Sequence, residues 1–77
     1  MSFAKNIITC RKQKGWSQKD ASEKLDIKPH NLGAYEEGRA FPPQKTLLKF
    51  ITVYQVPEQE VFRFTFDVEH PLTNQQH

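Results

Sequence analysis

The 77 residues make one domain, whose core is too small to hold both a catalytic cleft and the shell that would fix its groups, so no enzyme is expected. With 36% hydrophobic and 26% charged residues the chain is composed like a folded domain. Its single cysteine, Cys10, excludes an internal disulfide and a cysteine-built zinc site and suits a reducing compartment. The net charge is only +2, but it is unevenly spread: residues 1–49 carry +5 and residues 50–77 carry −3. That is a basic part suited to phosphates followed by an acidic end suited to avoiding them.

Along the chain, Phe3, Ile7 and Cys10 are spaced by four and three, which predicts a first helix from Phe3 to Lys14, closed by Gly15. Ser17 is a good N-cap for a short second helix, Gln18 to Leu25, that turns Ala21, Ser22 and Leu25 inward. After Asp26-Ile27-Lys28, Pro29 suits the first turn of a third helix, which runs to about Glu36, buries Leu32 and Tyr35 and closes at Gly38. Phe41-Pro42-Pro43 is a stiff connector. Leu47, Phe50, Ile51 and Tyr54 mark a fourth helix ending before Pro57, and a fifth, from Glu58 to about Arg63, is expected to bury Val61 and Phe62.

From there Phe62, Phe64, Phe66 and Val68 alternate with polar residues, the period of a half-buried strand. The expected division is therefore a five-helix domain over 1–63, a possible strand over 64–69 and a polar tail over 70–77. Phe64, Phe66 and Val68 are the candidate dimerisation residues, pairing antiparallel with a second copy. An irregular fold-back of the segment, or an extension of the fifth helix, is the alternative.

The informative stretch is Gln18 to Arg39. Two short helices joined by a turn of about three residues is the arrangement that lays the second helix into a DNA major groove. Ser22 is small enough for a close helix crossing, and Asp26 tolerates the left-handed conformation a tight turn needs. With Ile27, Leu32 and Tyr35 inward, Pro29, His30, Asn31, Gly33 and Ala34 should face solvent or DNA.

From about residue 5 to 62 the chain resembles the XRE/Cro family of five-helix, lambda-repressor-like domains. The resemblance rests on Arg11, GWSQ at Gly15 to Gln18, KLDIK at Lys24 to Lys28, Leu32, YEEGR at Tyr35 to Arg39, Pro42, and LLKF at Leu47 to Phe50. It implies an all-α fold and sequence-specific binding of double-stranded DNA by a dimeric, cytoplasmic, nucleoid-associated regulator. Base contact would come from Pro29, His30, Asn31, Gly33 and Ala34, and phosphate contact from Gln18, Lys28, Arg39 and Lys45. It also implies a shielded ion pair between Arg11 and Glu36. The chain departs from the family in carrying Asp26 for the usual Gly, Ala21 for Leu, and Lys28 for the Ser or Thr cap of the third helix.

No cofactor is expected, and no metal: His30, His70 and His77 have no second ligand at a metal-binding spacing. No stretch approaches the roughly 20 apolar residues of a membrane span. Two further functions remain open at this point, an antitoxin that represses its operon and occupies a toxin, and a protein-interaction module that has kept the fold but lost DNA reading.

Overall fold

A computed structural model describes residues 2–66. Each helix begins and ends where local chemistry allows. In α1 (Phe3–Gln13) the Ser2 hydroxyl accepts from the Lys5 N–H at 3.2 Å, and Gly15, at φ +75°, turns the chain away. A reciprocal cap opens α2 (Gln18–Leu25): the Asp20 N–H donates to the Ser17 hydroxyl at 3.0 Å, and the Ser17 N–H donates to the Asp20 carboxylate at 3.1 Å. Donation from the Ser17 backbone N–H, with the Ser17 hydroxyl beside it, holds the Asp20 carboxyl below the usual carboxylate range. Asp26 then takes the left-handed conformation, φ 57° and ψ 49°, that ends the helix.

Pro29 occupies the first turn of α3 (Pro29–Glu36), whose N-cap, Lys28, makes no side-chain cap bond. The missing Ser or Thr therefore leaves the start of this helix free of its own capping hydroxyl. Pro43 precedes α4 (Gln44–Val53). A 3₁₀ turn (Glu58–Glu60) leads into α5 (Val61–Phe66).

The core is organised around Phe50 of α4, which is wholly buried. Phe3, Tyr35 and Tyr54 meet its ring edge-on, at centroid distances of 5.5, 6.0 and 5.5 Å. Ile7, Ala21, Leu25 and Leu32 complete the same cluster. One aromatic thereby ties α1, α3 and α4 together, while α2 packs on α3 and α4.

The C-terminal expectation needs correction. The segment proposed as a strand from residue 64 is helical as far as Phe66, and Val68 lies outside the described residues. Phe64 is 7% exposed in the core against Phe3, so it is not available to pair with a second copy. Phe62, expected inside, is instead 55% exposed, and Phe66 is 57% exposed. The reason is phase: at 100° per residue Phe62 and Phe66 share one face and Phe64 the opposite one, whereas a period of two places all three together. The Asn6 amide, donating to the Phe64 carbonyl at 2.9 Å, fixes α5 on α1 in that rotation.

Candidate nucleic-acid interface

Helices α2 and α3 are joined by three residues, Asp26 to Lys28. Their close approach depends on Ser22, 1% exposed, whose hydroxyl donates to the Lys19 carbonyl at 2.9 Å and so carries no unmet polar group into the crossing. The Ile27 N–H donates to the Ser22 carbonyl at 3.0 Å and closes the turn.

The C-terminal end of α3 is locked to the scaffold. Arg11 of α1 reaches Glu36 through two parallel bonds, Nε to Oε2 at 2.7 Å and Nη2 to Oε1 at 3.0 Å. Its remaining Nη1 donates to the Trp16 carbonyl at 3.0 Å. The side chains are 13% and 3% exposed, and the hydrogen bond donated to Glu36 raises the Arg11 pKa above its ordinary value. Gln18, in the first turn of α2, donates its amide to the same carboxylate at 2.9 Å, so Glu36 collects α1, α2 and α3 at one point. Burial pushes the Tyr54 phenol well above its usual range.

The N-terminal end is the opposite. Lys28, Pro29, His30 and Asn31 are all exposed, and among the described residues none of their side chains has a hydrogen-bonding or ionic partner. Gly33 is half-buried, and a methyl group built on it would meet nothing within 4 Å. Ala34 departs from expectation: it is 8% exposed. Its methyl is therefore covered rather than open to a partner's surface.

Of the candidate phosphate contacts, Gln18, Lys28, Arg39 and Lys45 are all exposed. Gln18 is oriented by Glu36 and keeps a second amide hydrogen to donate. Lys45 lies in the first turn of α4. Arg39 is not independent, because its Nε donates to Glu37 at 2.8 Å with both side chains more than half exposed. Sequence reasoning gave Glu37 no role of its own. The signal was the opposite charge two residues on, in Glu37-Gly38-Arg39, where Gly38 at φ +77° turns the chain back.

Among the described residues, no helix is long and apolar enough to cross a membrane, and no group of three His, Cys, Asp or Glu is placed to hold a metal ion. A family model described as helix-turn-helix matches residues 7–61. The chain is 46% identical over 48 residues to Multiprotein-bridging factor 1 of Schizosaccharomyces pombe, covering 62% of this chain and 32% of that protein. It is 41% identical over 56 residues to the HTH-type transcriptional regulator ImmR of Bacillus subtilis, covering 73% of this chain and 44% of that one. The chain thus spans under half the length of these two relatives. Identity is 32% over 75 residues with the SPbeta prophage-derived uncharacterized HTH-type transcriptional regulator YonR of Bacillus subtilis, covering 94% of this chain and 69% of that protein.

Proposed function

The chain belongs to the helix-turn-helix family, and on that premise we propose that it binds double-stranded DNA as a small transcriptional regulator, with α3 entering the major groove. The observation that carries this reading is the contrast along α3: its C-terminal end is bolted to α1 and α2 through Glu36, while its N-terminal end is exposed and uncommitted. A helix held in that way can offer its first turn to base edges without shifting under the load.

In this reading His30 and Asn31 read base edges, Pro29 packs on them, and Gly33 lets the groove wall approach closely. Gln18, Lys28, Arg39 and Lys45 bind phosphates and set the register. Two copies act together, each on one half-site.

Selection from a random duplex pool at low salt, followed by a salt titration on the recovered sequence, tests the proposal. A recurrent motif is expected, with log affinity falling by about 3 per log unit of salt for each copy, from the three cations at the backbone. An unenriched pool, or binding indifferent to salt, refutes it. An unenriched pool would favour a protein-interaction role instead, the reading suggested by the similarity to a protein named as a bridging factor.

A further inference from the structure

Two surface features are not used by the base-reading end of α3. The first is a cleft of about 400 Å³ between α2 and α4, with Leu25 and Leu48 in its wall and Lys24, Lys45 and Lys49 about it. Leu48 is 54% exposed there, although α4 turns its other large apolar residues towards the core. Asp26, also at the cleft, is engaged with Lys49, whose Nζ donates to the Asp26 carbonyl at 3.2 Å and lies 4.0 Å from its carboxylate. The cleft is therefore apolar within and positive around.

The second feature is the outer face of α5. Phe62 and Phe66 lie one turn apart with ring centroids at 5.1 Å. Both are more than half exposed, and exposed Glu58 precedes Phe62 by four residues. The ridge is apolar with an acid beside it, in the part of the chain that carries −3. Within one chain the ridge and the cleft belong to different packed pairs, α1 with α5 and α2 with α4.

We infer that the cleft of one copy receives the Phe62–Phe66 ridge of a second copy, with Glu58 directed to Lys24 and Lys49 while Lys45 stays on the phosphates. Apolar meets apolar and the charges are complementary. This rests on the association of copies on DNA proposed above, extends it beyond two, and replaces strand pairing, which the burial of Phe64 forbids. The contact proposed is heterologous, each copy using its ridge on one neighbour and its cleft on another, an arrangement that extends beyond two copies and suits half-sites repeated in the same direction. Two phenylalanines in one shallow cleft bury less than the roughly 1,000 Å² of a stable interface. Association is therefore weak in free solution and strengthened where DNA holds copies side by side.

Sedimentation of the full chain without DNA, from about 10 µM to about 1 mM, tests this separately from DNA binding. The average mass should rise with concentration and pass beyond that of two copies. Leu48→Asp, which spoils the cleft, and the double variant Phe62→Ser/Phe66→Ser, which spoils the ridge, should each remain monomeric. Mixing the two variants should restore a species of two copies and nothing larger, because one intact cleft then meets one intact ridge. That recovery also shows that both variants are folded, as thermal melting by circular dichroism should show directly. A mixture that stays monomeric, a variant that still self-associates alone, or a wild-type chain monomeric throughout the range overturns the inference.

Discussion

The two ends of α3 are eight residues long together and are built on opposite principles. At the inner end Glu36 accepts three bonds from Arg11 and Gln18 in a setting where both members of the ion pair are largely shielded. At the outer end Lys28 caps nothing, and His30 and Asn31 stand in solvent. Polar groups that are shielded must be paired or they destabilise the fold, whereas exposed ones are solvated at little cost. The same short helix therefore carries stability at one end and is open to a partner at the other.

The largest effect should come from attacking the inner end. Arg11→Met leaves the Glu36 carboxylate uncompensated and should cost about 3–5 kcal/mol in denaturant unfolding, while Arg11→Met combined with Glu36→Met should recover most of that loss. A single-variant loss near zero would erase the contrast between the ends. Gly33→Glu acts on the outer face alone. Because a side chain there meets open space, the melting temperature should hold or rise, and duplex affinity should fall about 100-fold through like-charge repulsion. Undiminished duplex binding by that variant would remove the outer face of α3 from the interface.

A smaller effect is expected beside the inner end, at the start of α2. Ser17→Ala removes the cap that orients the turn carrying Gln18, with an expected loss of about 1 kcal/mol in thermal or denaturant unfolding. The Asp20 carboxyl is held low by Ser17, so its contribution is present above the ordinary carboxylate range and is lost as pH falls through the depressed value. The difference between wild type and Ser17→Ala should accordingly narrow in acid. The smallest change in stability belongs to Arg39→Ala, since an exposed pair such as Arg39 with Glu37 contributes about 0–1 kcal/mol. Its signature should instead be a uniform weakening on all duplexes and a salt dependence shallower by about 1. A change in base preference would move Arg39 from backbone contact to readout.

What the sequence by itself determined was local. Helical spacing, Ser17 as a cap, Pro29 in a first turn, Asp26 in the left-handed region, and Gly15 and Gly38 as stops are decided within a few residues of chain, and the structure places α1 to α4 accordingly. Ser22 as the small residue at the helix crossing was legible for the same reason, since one side-chain volume sets how closely two backbones approach. Only the tertiary structure decided which side of an element is covered. As a string of letters Phe62, Phe64 and Phe66 carry the period of a strand, and the segment is nonetheless helical. The bond from Asn6 and the contact with Phe3, both from residues far off in the chain, selected the rotation that buries Phe64 alone. Ala34 lies away from Leu32 and Tyr35 by helical phase yet is buried, which the phase alone does not indicate. Gln18 and Glu36 are held together, although nothing in their spacing of 18 residues indicates it. Long-range pairing of this kind is set by how the helices cross, and a single sequence carries that only in the sum of its packing.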